Sequence, residues 1–185
     1  MIQRIRDEEF AVSPSGIHIG HTGAEVAFLT EVIGRAEVAA FIEIGVHLGG
    51  LAEVMMAIVP EYLGIEIDPR IVVDRVNNQI TASQSADIWI ADAWNRMTVF
   101  VVADWLAVRG TTLIYCDGGD KPKEFAFYAP VIRKGDLIGV HDYGTYEGAE
   151  ISPVQAGETA TTFGLNRFGD DINGAHETRI AIWKK

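Results

Sequence analysis

Short apolar runs alternate along this chain with longer amphipathic segments, and the alternation predicts strands separated by helices. Helical spacing of apolar residues covers Ala24–Arg35, Pro69–Ile80 and Asn95–Val108, and a further helix begins near Pro122. Because strands and helices alternate, we predict an α/β, Rossmann-like, doubly wound fold, with a mostly parallel sheet of about six or seven strands and helices on both faces. The strands predicted with these helices are Phe41–Ile44, Leu63–Ile67, Ser85–Asp92, Thr111–Asp117 and Leu137–Val140.

The two ends of the chain give less regular patterns. We predict an irregular lead-in over residues 1–21 and a second irregular stretch over residues 144–177, within which Pro153–Phe163 has the pattern of a short helix. Thr178–Lys185 alternates as a closing strand does, and Asn166–Phe168 is the candidate for its partner. The expectation is a single domain over residues 1–185 with a reduced C-terminal part.

Composition narrows the class of protein. A chain of 185 residues that is 48% hydrophobic can bury a substantial core, and its net charge of −11 would repel a nucleic acid backbone. The single cysteine, Cys116, favours a reducing, cytoplasmic location, and no apolar stretch is long enough to cross a membrane. We therefore expect a small-molecule substrate that is bound by one chain or partly by a second subunit of a homo-oligomer.

The centre of the pattern is a strand-turn-helix-strand unit over Ala40–Pro69. Its turn, Gly45–Gly50, has the form G-x-x-x-G-G, with His47 where the dinucleotide fingerprint G-x-G-x-x-G has its second glycine. That glycine admits a pyrophosphate, so its replacement favours a cofactor without one. Glu66 ends the second strand about 20 residues after the turn, where a carboxylate can accept hydrogen bonds from ribose hydroxyls. The unit therefore predicts a nucleoside cofactor.

Acidic residues stand at the ends of successive predicted strands. The carboxyl ends of parallel strands lie along one edge of a sheet, where α/β proteins bind their ligands. We therefore expect these side chains to meet at one rim, at the tips of five strands: Glu43, Glu66, Asp92, Asp117 and Asp142.

Several of these motifs resemble a known family. Glu43-x-Gly45-x-x-x-Gly49 resembles the first motif of class I S-adenosylmethionine (SAM)-dependent methyltransferases, and GIEIDP resembles their second. The pair LIYCDGGD and RKGDLIGVHDY resembles small methyltransferases related to cephalosporin-hydroxylase-like and macrolide or sugar O-methyltransferases. The resemblance covers about residues 38–145. It implies SAM as cofactor, with Gly45, His47 and Gly49 along the methionine moiety, Glu66 at the ribose, and Glu43 also in the cofactor site. Asp92 and Ala93 would contact the adenine, and Trp94 would either pack on the adenine ring or be a plain core aromatic.

The resemblance also implies a divalent-cation site, because metal-dependent relatives place ligands where Asp117, His141 and Asp142 stand. Mg²⁺ prefers oxygen ligands, so His141 indicates either a softer metal or no metal ligand at all. His141 would then be the general base, with Asp120 or Lys121 as rivals, or it would simply pack beneath a turn that Asp142 caps. His18 and His21 offer a further pair that either binds a metal or lies in a solvated loop.

The leading hypothesis is methyl transfer from SAM to an oxygen of a small molecule, with or without a divalent metal. A nicotinamide-dependent oxidoreductase is one alternative, although His47 in the turn and the lack of a Tyr-x-x-x-Lys pair disfavour it. The other is a catalytically inactive binding module on the same fold.

Overall fold

The computed structural model describes residues 10–70, 76, 85–176 and 178–185. Its strands are β1 (Phe10–Val12), β2 (His18–Thr22), β3 (Ala40–Ile44), β4 (Glu61–Glu66), β5 (Ala86–Ile90), β6 (Thr112–Cys116), β7 (Leu137–Val140), β8 (Asn166–Phe168) and β9 (Ala181–Lys184). Its helices are α1 (Gly23–Ala36), α2 (Gly50–Met56), α3 (Arg96–Ala107), α4 (Lys121–Tyr128), α5 (Pro153–Phe163) and α6 (Asp170–His176).

A seven-stranded sheet in the order β5-β4-β3-β6-β7-β9-β8 carries the site. Strands β5, β4, β3, β6 and β7 are parallel, and β9 runs antiparallel between β7 and β8. The predicted α/β fold with a mostly parallel sheet is confirmed. The order of the strands reverses beside β3, because β4 and β5 lie on one side of it and β6 and β7 on the other. The carboxyl ends of β3 and β6 therefore border the crevice in which such sheets bind ligands.

The pleat of the strands divides the core into two layers, because successive side chains point to opposite faces. Phe41, Tyr62 and Tyr115 lie on the face covered by α1 and α2. Ile42 and Ile114 lie on the opposite face, which α3, α4 and α5 cover. Both layers are buried, which explains why these strands are nearly continuous apolar runs.

The C-terminal part of the chain is more complete than the sequence indicates. The proposed helix Pro153–Phe163 is present, and Asn166–Phe168 is indeed the partner of the closing strand. The expected reduction is therefore corrected: β8 and β9 complete the sheet as an antiparallel pair. Strand β8 lacks an alternating pattern because it is a three-residue edge strand whose first two residues, Asn166 and Arg167, are polar and exposed.

The lead-in also contains regular structure among its described residues. Strands β1 and β2 form an antiparallel hairpin, and Gly16 turns the chain between them at φ +84°. The hydroxyl groups of Ser13 and Ser15 donate hydrogen bonds to the Glu53 carboxylate on α2, which fixes the turn against this helix. The hairpin thus stands beside the carboxyl ends of the central strands.

Local signals explain where the helices begin. Thr22 and Glu25 form a capping box at α1, while Asn95 caps α3 and Asp120 caps α4. The helix predicted over Pro69–Ile80 lies mostly outside the described residues. Within the part of the chain that is described, every helix is too short or too polar to span a bilayer.

Gly45 brings the turn after β3 against the end of β6. Its φ is +85°, and a β-carbon at this position would lie 2.6 Å from the Cα atom of Gly118. Both the left-handed backbone and the contact with another backbone segment require glycine here.

We predict that Gly45→Ala lowers the free energy of unfolding by more than the approximately 1–3 kcal/mol expected from backbone strain alone. Gly16→Ala is the matched control, because Gly16 has the same left-handed backbone with open space around it. Urea unfolding of both variants measures the difference. Equal losses for the two variants would contradict the role of the Gly45–Gly118 contact.

Candidate functional site

A cleft of about 390 Å³ opens at the carboxyl ends of the parallel strands. The β3–α2 turn, the tips of β4 and β5, and the loop after β6 all contribute to it. Its lining includes Gly45, His47, Glu66, Ile67, Ala91, Asp92, Ala93, Trp94, Asp117, Gly118, Gly119 and Glu124. Its volume is typical of a pocket for a small molecule or cofactor. We call it the first cleft.

Glu66 is held at the edge of the first cleft by backbone groups. The His47 N–H donates to Oε2 at 2.9 Å, and the Ile67 and Asp68 N–H groups donate to Oε1 at 2.8 and 3.0 Å. A carboxylate has roughly four acceptor sites, so about one remains on Oε2 for a ligand hydroxyl. The bond to His47 also ties this carboxylate to the glycine-rich turn.

The tip of β5 supplies the far wall of the first cleft. Asp92 is exposed, and its Oδ1 atom accepts a hydrogen bond from the Trp94 N–H at 2.9 Å. Lys123 covers the Trp94 ring with its ammonium 3.6 Å from the ring centroid. The indole N–H of Trp94 is buried with no hydrogen-bond partner among the described residues. This wall therefore combines an aromatic ring with an unpaired indole N–H and the second carboxylate oxygen of Asp92.

A second cleft of about 280 Å³ lies beside the first, between the sheet and the β1–β2 hairpin. Its lining is Phe10, Ile19, Gly20, Glu43, Gly45, Val46, His47, Asp117, His141, Asp142 and Arg179. Gly45, His47 and Asp117 line both clefts. These three residues mark the junction at which a group could pass from one ligand to another.

Glu43 contributes to the second cleft as a buried acid. Its Oε2 atom accepts a hydrogen bond of 2.5 Å from the Tyr62 hydroxyl. Burial raises the pKa of Glu43 well above its ordinary value, and the nearby Asp117 and Glu66 carboxylates act in the same direction. Burial and the neighbouring carboxylates therefore favour the neutral acid form of Glu43.

His141 lies between two carboxylates at the tip of β7. Its Nδ1 atom is 2.9 Å from Asp117 Oδ1 and hydrogen-bonds to it, whereas its Nε2 atom is 3.4 Å from Glu25 Oε1 without hydrogen-bonding geometry. Burial alone lowers the pKa of His141, but Asp117 and Glu25 outweigh burial and raise it to about 9. His141 is thus an imidazolium at neutral pH, and it lowers the pKa of Asp117 despite the burial of that carboxyl group.

His21 stacks on His141 at a centroid distance of 4.1 Å but is in the opposite protonation state. Burial lowers the pKa of His21. Its Nδ1 atom is 3.3 Å from the Ile19 carbonyl oxygen, which can only accept, so Nε2 accepts from the Tyr115 hydroxyl at 2.8 Å. His21 is therefore a buried, neutral histidine that packs against His141, and it does not lie in a solvated loop.

The structure separates the three candidate general bases. Asp120 caps α4 through the Lys123 N–H at 3.1 Å and lines neither cleft. The pKa of Lys121 is lowered by burial but raised more by Asp117 and Glu150, so its amine stays protonated. His141 is also protonated at neutral pH.

Of the residues predicted to bind the cofactor, all but Gly49 and Glu43 line the first cleft; Gly49 packs against Val76 behind the turn.

The predicted metal ligands do not form a site suited to Mg²⁺. Among the described residues, the ligand atoms that converge within 4.8 Å belong to His21, Asp117 and His141, and two of these residues offer nitrogen. Mg²⁺ requires oxygen ligands at near-ideal octahedral geometry. Asp142, the third predicted ligand, accepts instead from the Arg179 guanidinium at 3.0 Å.

Sequence reasoning missed three residues of the site. Glu25 could have been found from the capping box Thr22-x-x-Glu25 that precedes the apolar stripe of α1. Glu124 accepts from the Gly118 N–H at 3.0 Å and supports the loop that floors the first cleft; burial raises its pKa to about 7. Arg179 carries no local signal, because its partners Glu25 and Asp142 are distant in sequence.

Comparisons with known proteins identify the fold. No protein-family model matches this sequence, and no curated protein matches it. A structure of CmcI-D160 with Mg and SAM aligns over 92% of this chain and 75% of that chain, at TM-score 0.65 and 16% identity. The sugar N-methyltransferase KedS8 from Streptoalloteichus sp ATCC 53650 aligns over 88% and 87%, at TM-score 0.59 and 10% identity. The cyclase SpnF aligns over 76% and 57%, at TM-score 0.52 and 14% identity. The chain therefore has the SAM-dependent methyltransferase fold that its motifs predict.

We predict that the protein loses stability between pH 7 and 9 as folded His141 releases its proton. The ordinary pKa of 6.5 describes the unfolded chain and about 9 the folded state, so the stabilisation is complete below 6.5 and disappears as pH rises through 9. The slope is at most about 1.4 kcal/mol per pH unit. Thermal unfolding at a series of pH values should show this slope in the wild type and a flatter one in His141→Gln.

Two other groups act mainly outside this range. Glu124, with its pKa raised to about 7, and His21, with its pKa lowered, affect stability below pH 7. Glu43, with its pKa raised well above its ordinary value, is present in both proteins, so the difference in slope between the wild type and His141→Gln isolates His141. His18→Gln is the control, because His18 is an exposed histidine of the hairpin that lines neither cleft. An unchanged slope in His141→Gln would contradict the assignment.

Proposed function

We propose that this protein is a SAM-dependent methyltransferase that acts on an oxygen of a small molecule. One observation carries the proposal: two clefts meet at Gly45, His47 and Asp117, at the carboxyl ends of β3 and β6. The first cleft has the features that a nucleoside requires, and the second has the charged groups that an acceptor requires. A methyl group transferred between them would cross at the shared residues.

The first cleft suits the cofactor. Glu66 keeps an acceptor site for a ribose hydroxyl, and its bond to the His47 N–H fixes it relative to the glycine-rich turn. At the far end, Asp92 has a carboxylate oxygen available for the exocyclic amine of adenine, and Trp94 offers an aromatic surface. The methionine moiety would lie along Gly45 and His47, toward the second cleft.

The reaction is a direct displacement. A lone pair of the acceptor oxygen forms a bond to the methyl carbon while the bond between this carbon and sulfur breaks. The electron pair of the broken bond stays on sulfur, so the sulfonium becomes a neutral thioether. The protein contributes alignment of the two ligands and removal of the hydroxyl proton. No step requires a bound metal; metal assistance stays a prediction, and the donor set described above does not suit Mg²⁺.

The junction residues supply the proton acceptor. His47 and Asp117 are the titratable side chains that line both clefts. Asp117 is ionised and is oriented by the imidazolium of His141 at 2.9 Å. Such a pair suits an alcohol, which must lose a proton on transfer, more than a neutral amine, whose lone pair needs no activation. This favours oxygen as the methylated atom.

Binding of S-adenosylhomocysteine tests the cofactor assignment. We predict a dissociation constant within about 1 μM to 1 mM by calorimetry, the usual range for enzyme ligands, and at least about tenfold weaker binding by Glu66→Ala. Glu61→Ala is the control, because Glu61 lies at the opposite end of β4 and pairs with Arg109 at 2.7 Å. Absence of binding at millimolar concentrations would reject the proposal, and quenching of nicotinamide fluorescence would revive the oxidoreductase alternative.

Product analysis tests the methylated atom. With methyl-labelled SAM and a library of small alcohols, phenols and amines, we predict label in an ether and stoichiometric release of S-adenosylhomocysteine. Mass spectrometry locates the added methyl group. Label on nitrogen would retain methyl transfer and reject oxygen, whereas cofactor binding without transfer to any compound would favour the inactive binding module.

A further inference from the structure

A lysine stands among the carboxylates that were predicted to hold a metal. The Lys121 Nζ atom lies 3.6 Å from Asp117 Oδ1, 3.8 Å from Asp142 Oδ2 and 3.1 Å from Glu150 Oε2. It also donates a hydrogen bond of 2.6 Å to the Gly118 carbonyl oxygen. Its side chain is 5% exposed, so the ammonium is an internal part of the cluster and not a mobile surface charge.

Each of the two aspartates also accepts hydrogen bonds from other donors through its Oδ1 atom. Asp142 Oδ1 accepts from Arg179 at 3.0 Å and from the Tyr146 hydroxyl at 3.2 Å. Asp117 Oδ1 is hydrogen-bonded to His141. Asp117 Oδ2 lies 3.5 Å from His21 Nε2, which accepts from the Tyr115 hydroxyl and donates nothing to Asp117. A metal ion bound through the Oδ1 atoms of both aspartates would have to displace His141, Arg179 and Tyr146.

The charges of the cluster are nearly balanced without a metal. Lys121, Arg179 and the His141 imidazolium are the cations. The carboxylates facing them are Glu25, Asp117, Asp142 and Glu150. A divalent ion between Asp117 and Asp142 would lie within a few ångströms of the Lys121 ammonium, where like charges repel strongly in a partly buried site.

We propose that the Lys121 ammonium takes the place of a divalent cation between Asp117 and Asp142. These two carboxylates of the second cleft are then held in position without a metal. Lys121 is then a positioning residue: it begins α4 and holds Asp117 at the junction of the two clefts. Its cation is covalently tethered and is therefore always present. The inference rests on the proposed function only for the use of the cleft by an acceptor.

Binding of Mn²⁺, followed by the electron paramagnetic resonance signal of the free ion, tests the inference. Mn²⁺ shares the preference of Mg²⁺ for oxygen ligands. A chain with 26 acidic residues binds some Mn²⁺ at its surface, so the relevant quantity is the part that Asp117→Asn removes. The proteins compared are the wild type, Asp117→Asn, Lys121→Met, and the double variant that combines these two substitutions.

We predict no Asp117-dependent Mn²⁺ binding in the wild type. Lys121→Met should bind Mn²⁺ at least about tenfold more tightly than the wild type does, which corresponds to about 1.4 kcal/mol. The double variant, which lacks the Asp117 carboxylate, should bind Mn²⁺ no more tightly than the wild type. Lys123→Met is the matched control: this lysine is two positions away, stacks on Trp94 and should leave Mn²⁺ binding unchanged. Lys121→Gln replaces Lys121→Met if the latter does not fold, as judged by circular dichroism.

Two results would overturn the inference. One is Mn²⁺ binding by the wild type that Asp117→Asn abolishes. The other is a folded Lys121 variant that binds no more Mn²⁺ than the wild type. Calorimetry with S-adenosylhomocysteine on the same samples tests the proposed function separately, because metal exclusion can hold whether or not the cofactor binds.

Discussion

The site depends on the contacts that the buried Glu25 carboxylate makes with three other residues. The carboxylate is 1% exposed and caps α1 through the Thr22 N–H at 2.9 Å. It also accepts from Arg179 at 2.8 Å and lies 3.4 Å from His141. A buried carboxylate is tolerable only with such partners, and removing one member of a buried pair typically costs about 3–5 kcal/mol. Glu25 thereby fixes three distant parts of the chain relative to one another.

The alternation of side chains along the strands explains why the second cleft is polar. On β3, β6 and β7, the residues that point toward α1 and the hairpin change from apolar to polar at the strand ends, as Phe41 is followed by Glu43 and Tyr115 by Asp117. On the opposite face of the sheet, the apolar layer continues under α4 and α5. The charged groups therefore collect on the face toward α1 at the strand ends, where the β1–β2 hairpin and the first turn of α1 cover the sheet.

In the proposed function, the two clefts divide the chemistry between them. The first is bordered by backbone groups, an aromatic ring and the Glu66 carboxylate, which suit recognition of a nucleoside. The second contains fixed charges that cancel almost completely, which suits orientation of an acceptor more than attraction of a highly charged one. Because one fold hosts several chemistries, the proposed activity rests on this arrangement of side chains and not on the topology.

The sequence by itself determined the strands of the main sheet, nearly all of the described helices, and the rim residues at the strand ends, including Glu66, Asp92 and Asp117. It did not determine the β1–β2 hairpin, which lies where an irregular lead-in was expected. The elements and rim residues that it did determine follow from local periodicity and from the rule that parallel strands share one carboxyl edge. The tertiary structure alone decided the protonation of His141 and the partners of Lys121 and Arg179. Those properties depend on burial and on contacts between different elements of the fold, such as Glu25 with Arg179, 154 positions away, which no local pattern of residues encodes.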